Sequence, residues 1–259
     1  MVRSYIVKGI IWKEWRELFR TKTIVATLSI ISIMFSIILP LIFSFALTLE
    51  GTDESIPIGG ELGNFTTELE KMLAGLYILF LPLFLTLIPI IASSTLAVYS
   101  FVGEKERKTL ESLLLIPATD FELLISKILS VYIPAIALGF ISNLIYFLIV
   151  KLYIEVTYSI TLLPHPIYLL TVFLLAPTLA FLVVELNVFI SIITDNIKTA
   201  ENLQGTILLP FILLLIGTLS GAVILTLKEI LAITITIAIA TIGTLKALEK
   251  KFTREKLIT

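Results

Sequence analysis

Charged residues cut this chain into long apolar blocks joined by short polar ones. Charge-free stretches run for 27 residues between Lys22 and Glu50, 32 between Lys71 and Glu104, and 23 between Lys127 and Lys151. Two more run for 29 residues between Glu155 and Glu185 and 26 between Glu201 and Lys228. A sixth, between Glu229 and Lys246, has only 16. A helix needs about 20 mainly apolar residues to cross roughly 30 Å of hydrocarbon. The first five blocks meet that length. At about 1.5 Å per residue the sixth covers roughly 24 Å, so Lys246 must snorkel or the bilayer must thin locally. The pattern predicts an all-α membrane protein with six transmembrane helices, at about residues 23–49, 74–99, 128–150, 166–191, 206–227 and 230–247.

Ahead of the first span, residues 1–22 carry a different pattern. Ile11, Trp12, Trp15, Leu18 and Phe19 recur at helical spacing, while Lys13, Arg16, Glu17 and Arg20 fall on the other face. That is an amphipathic helix lying in the membrane interface. Both tryptophans of the chain are here, where amphipathic rings favour the headgroup level. The helix serves as an anchor or as a docking surface for a partner, with Lys13, Arg16 and Arg20 as its basic contacts.

Composition narrows the classes. The chain is 58% hydrophobic and 15% charged, with mean hydropathy +1.06. Six such blocks leave too little polar surface to clothe a soluble core. No cysteine is present, which excludes disulfides, thiolate metal sites and a cysteine nucleophile; one histidine, His165, excludes a multi-histidine centre. His165 stands between Pro164 and Pro166 in a turn and is expected to face solvent. A net charge of −1 argues against a nucleic-acid binder.

The position of the charges gives an orientation. With an even number of spans both termini share a side. If that side is cytoplasmic, 16 of the 19 basic residues lie inside, and only Lys71, Lys151 and Lys228 lie outside. This bias follows the positive-inside rule and predicts cytoplasmic termini and a short basic C-terminal tail. The outer stretch Glu50–Lys71 is acidic and contains Asn64-Phe-Thr66, an N-glycosylation acceptor triplet.

Segment 100–127, between the second and third spans, is dense in paired charges and then apolar. Glu104 and Lys108 form an i, i+4 pair with the acid first. Leu110, Leu113 and Leu114 make a short apolar stripe before Pro117 stops the helix. Thr119-Asp-Phe-Glu122 has the form of a capping box that starts the third span. The expected geometry is helix, break, helix at the membrane surface, an element that can pass a push on to two spans.

The run Glu104-Lys-Glu106-Arg107-Lys-Thr109-Leu110-Glu111-Ser-Leu113-Leu114-Leu-Ile-Pro117, followed by Lys127, resembles the signature of ABC-2 type permeases, the six-span membrane subunits of ATP-binding cassette exporters. Lys13-Glu-Trp-Arg16-Glu-Leu-Phe-Arg20 resembles the family's basic elbow before the first span. Residues 191–210 resemble its connection between the fourth and fifth. Lys108 stands where many members carry glycine, and only Lys228-Glu229 separates the last two spans, where the family often has short re-entrant helices. The resemblance implies a domain of six spans over 23–259 that acts as a dimer, as homodimer or with a paralogue, embedded in membrane lipid. It implies that Glu104, Glu106, Arg107, Thr109, Leu110, Glu111, Leu113, Leu114 and Pro117 form a coupling helix on a separate ATPase subunit. ATP and Mg would then belong to that partner. The chain has no G-x-x-x-x-G-K-[ST] run of its own, so it is expected to be a transport subunit and not an enzyme, with no catalytic residue and no metal site.

Within the spans, Glu185 and Asn187 are polar residues at membrane depth. Glu185 is either a functional site or a structural group able to snorkel toward the surface near Asp195. Gly217-x-x-x-Gly221 offers a helix-packing seam. Two further readings remain: an ion-coupled secondary transporter using Glu185, or a membrane scaffold that transports nothing.

Overall fold

The computed structural model describes residues 4–50, 75–106, 119–158, 163–220, 222–223 and 225–251. Helix α1 covers Ser4–Arg20. Six helices long and apolar enough to cross a membrane follow: Lys22–Phe45, Leu81–Glu106, Asp120–Thr157, Pro166–Ile193, Ile197–Thr218 and Leu227–Lys250. They are spans one to six. Among the described residues there is no strand.

Span two is the axis of the bundle. Of its most apolar window 78% is buried inside the protein, against 50% in span four and 11% in each of spans five and six. Small residues make this position accessible to it: Ala92, Ser93, Ser94 and Ala97 are all sealed from the outside, and such residues let helix backbones approach closely. Span three uses the same device. A Cβ on Gly139 would stand 3.0 Å from the ring of Pro89 in span two. At the other end of the bundle from α1, Ser44 and Tyr77 share a 2.5 Å hydrogen bond, and the Tyr146 hydroxyl donates to the Tyr77 carbonyl at 2.8 Å.

Local chemistry sets the helix boundaries. Thr21, with extended backbone (φ −80°, ψ 98°), is the single residue separating α1 from span one. Thr119 and Glu122 form the reciprocal capping box: the Thr119 amide donates to Glu122 Oε2 (2.9 Å) and the Glu122 amide to Thr119 Oγ1 (3.2 Å). The helix so started runs unbroken from Asp120 to Tyr158, passing through Lys127, where charge counting had begun the span one residue later. A lysine can sit there because protein groups, and not lipid, surround it. Span five begins at Ile197, well before residue 206, because Asn196 Oδ1 accepts from the Lys198 amide at 2.8 Å and caps the helix. His165 is half-buried and caps span four, its Nδ1 accepting from the Ile167 amide at 3.3 Å; the expectation that it simply faces solvent gives way to this role.

Wide π-helical turns interrupt spans one (Met34–Ile38), two (Val98–Val102) and four (Thr171–Leu175). Such turns free backbone groups for other partners and gather at functional sites. The one in span two does so beside the cluster described next.

Candidate functional site

Helix α1 lies along span three and buries Ile10, Glu14 and Leu18, a stripe at i, i+4, i+8. Besides the apolar face read from periodicity, the helix therefore has a face packed on protein. Trp12 is 63% and Phe19 56% exposed, whereas the carboxylate-bearing Glu14 is only 2% exposed. Trp15 is half-buried and fixes the helix to its neighbour, its indole Nε1 donating to the Ser130 carbonyl at 2.8 Å. Arg16 and Arg20 lie on the exposed side; Lys13 turns inward.

Glu14 is buried because span three supplies its counter-charge. Lys127, 1% exposed, is ion-paired with Glu104 at the end of span two, donates to the Ser100 carbonyl at 3.1 Å, and stands 4.0 Å from Glu14 Oε1. Its ammonium also lies 5.2 Å from the centre of the Phe101 ring, a cation–π contact. Ser100 and Phe101 both belong to the π-turn, and the widened turn presents the Ser100 carbonyl to Lys127. Glu14 Oε2 accepts from the Ser100 hydroxyl at 2.7 Å, while its Oε1 has no hydrogen-bond partner. Lys13 closes the cluster from the outside, 3.4 Å from Glu104 Oε1 and 4.0 Å from Glu14 Oε1.

Two carboxylates and two ammoniums thus meet where α1, span two and span three converge. Buried charge persists only when paired and hydrogen-bonded, and Glu14 is the less satisfied acid. Burial pushes its carboxyl up to about 7; Lys127 pulls the other way and the Glu104 charge adds to the rise.

The outer side of the span-two terminus is held by the connection between spans four and five. Lys105 pairs with Asp195 at 2.6 Å, and Glu106 Oε2 accepts from the Ile197 amide at 3.0 Å, at the N-terminus of span five. The acid at a helix N-terminus is also well placed for the helix dipole. Glu104 and Glu106, two of the expected coupling residues, are therefore tied in opposite directions. Arg107, Thr109, Leu110, Glu111, Leu113, Leu114 and Pro117 lie outside the described residues, as do Asn64, Gly221 and the C-terminal tail beyond 251.

A second polar set lies deeper. Glu185 in span four is fully buried and accepts a hydrogen bond from the Thr244 hydroxyl of span six; its Oε1 has no hydrogen-bond partner. It does not snorkel. Asn187 Nδ2 donates to Ser94 Oγ at 3.1 Å and to the Val183 carbonyl at 2.8 Å, and Gln204 of span five donates to the Ser94 carbonyl at 2.9 Å. Glu185 and Asn187, close in sequence, thus join different neighbours. Of the glycine pair, Gly217 lies near the end of span five, whose helix ends at Leu219, with Val223 3.0 Å from where a Cβ would stand.

Sequence reasoning singled out Glu104 and Lys13 but did not name Glu14 and Lys127 as site residues. The available signal was a carboxylate in step with Ile10 and Leu18, and a lysine about two turns inside a helix that a capping box had already started at Thr119.

A family model described as ABC-2 type transporter matches residues 5–226. The match takes in α1, the charge cluster and spans one to five, and stops one residue short of span six. No curated protein and no solved structure matches the chain. With most of its length covered and six membrane helices in place, the chain belongs to the ABC-2 type transporter family and is a multi-pass membrane permease with a transport, not a catalytic, role.

Proposed function

We propose that this chain is the permease subunit of an ABC exporter, coupling ATP hydrolysis by a separate nucleotide-binding subunit to movement of substrate across the membrane. In this reading the end of the bundle bearing α1 faces the cytoplasm, two permeases pair, and ATP and Mg are bound by the partner. The observation that carries it is the clamp around Glu104, within the matched family region. Residues 107–118 join the ends of spans two and three, and those ends are locked together by the Lys127–Glu104 pair. A push on that segment reaches both helices as one body, together with α1 through Glu14 and span five through Glu106. A packed junction of this kind transmits displacement because it has few ways to absorb it.

The test is co-expression with a candidate ATP-binding cassette ATPase subunit. A stable complex whose ATPase activity depends on the permease supports the reading. Failure of the two to co-purify, or transport in vesicles driven by an ion gradient with no ATPase present, overturns it. The second outcome would favour an ion-coupled carrier, for which the fully buried Glu185 with one unpartnered oxygen is the natural site.

A further inference from the structure

Spans two, four, five and six pack together, span six closely on span four, but leave a gap among them. Between them lies a cavity of about 300 Å³, roughly twice the volume of about 150 Å³ that a dry protein cavity needs to hold benzene. Its walls include Ile90 of span two, Leu175 and Leu186 of span four, Phe211 of span five, and Ile233 and Ile237 of span six; every lining residue is apolar. Ile90 and Leu175 are sealed from the exterior, while Leu186, Phe211, Ile233 and Ile237 are half-buried, so the space opens sideways past spans five and six. Those spans present most of their surface outward, at the depth of the membrane hydrocarbon.

We propose that this cavity holds one acyl chain of a membrane phospholipid. No polar side chain lines it, so neither water nor a polar solute has a partner there. Along span four the walls extend from Leu175 to Leu186, about 16 Å at 1.5 Å per residue. That is half of the roughly 30 Å hydrocarbon core, the depth one leaflet's chains occupy. Width excludes the other candidate. A helix of a second copy is about 10–12 Å across with its side chains and cannot enter a space of this volume between four helices of one chain. A single methylene chain can, with its headgroup left at the interface near the turn joining spans five and six. The lipid would fill the gap that these four spans leave among them.

The experiment reconstitutes the full chain in phosphatidylcholine–phosphatidylglycerol vesicles containing a phospholipid with a diazirine at mid-chain, followed by irradiation and peptide mapping. The peptides bearing Leu186 and Ile233 should be labelled several-fold more than the span-one peptide bearing Ile30 and Phe45, which are exposed to bulk lipid. Ile233→Trp or Leu186→Trp, on opposite walls, should each reduce the cavity label several-fold and leave the span-one label unchanged. If one variant fails to insert, the other and the wild-type ratio still decide. Cavity labelling no greater than on span one, or labelling unaffected by both tryptophans, overturns the proposal. So does an Ile233→Cys chain that forms a disulfide with a second copy, since the chain has no native cysteine and the bond would place a protein neighbour in the space.

Discussion

Lys127 of span three and Glu104 of span two form an ion pair sealed inside the protein, with Lys127 1% exposed. The pair joins the two helices that flank segment 107–118, and Glu14 of α1 completes it from a third direction.

Lys127→Met should be among the most damaging single changes in the chain. It leaves the Glu14 and Glu104 carboxylates facing one another without their buried cation, with only the half-buried Lys13 beside them, and breaking a buried pair from one side costs about 3–5 kcal/mol. Unfolding of the purified permease in mixed detergent measures the loss. Adding Glu14→Gln to Lys127→Met should recover part of it, and a fully additive double variant would show that the two residues do not interact.

Glu14 should make stability depend on pH. Its carboxyl sits at about 7 in the folded chain against an ordinary 4.5, so between these values the folded state holds a proton that the unfolded state has released. Its contribution is fully present below 4.5 and is lost as pH rises through about 7. Lys13, Lys127 and Glu104 face it throughout. The melting temperature of the wild type should therefore fall across this window relative to Glu14→Gln, and parallel curves for the two would remove Glu14 as the cause.

Coupling is best tested outside the buried cluster. Reversing Glu104 would break the Lys127 pair and confound insertion with transport. Leu113→Ala with Leu114→Ala, or Glu111→Lys, leaves that pair untouched. These changes should abolish substrate-stimulated hydrolysis by the partner ATPase while the permease reaches the membrane in normal amounts. Full stimulation in both variants would place the ATPase contact elsewhere.

Glu185→Gln preserves the size of the side chain and an acceptor for the Thr244 hydroxyl. ATP-driven transport and its pH profile should be unchanged, with stability equal or higher because a buried ionisable group is gone. Loss of transport with insertion intact would make Glu185 part of an ion pathway.

Gly139→Ala puts a methyl 3.0 Å from the rigid ring of Pro89 and should cost about 1–3 kcal/mol of stability through overpacking. Gly243→Ala, with open space around it, should be neutral or slightly stabilising, as helical glycines replaced at unstrained positions usually are. Equal effects at the two positions would mean that spans two and three can move apart freely.

The order of the elements was legible in the sequence because bilayer thickness is a length constraint that charge-free runs answer directly. The Thr119–Glu122 capping box was legible for a similar reason: it is a local arrangement of four residues. The site was only half legible. Glu104 stood out in its charged run, but periodicity along α1 does not tell which of its residues pack on span three, and Glu14 went unnamed.

By itself the sequence determined that this chain crosses the membrane six times, that its third span begins at the Thr119–Glu122 capping box, and which family its polar segments resemble. Tertiary structure alone decided that Glu14 and Lys127 are interior, that Glu185 and Asn187 join different helices, and that spans two, four, five and six leave an apolar gap among them. The reason is common to all three. Whether a polar group or a gap is tolerated at membrane depth depends on what a distant part of the chain places beside it, and that is a property of packing, not of spacing along the chain.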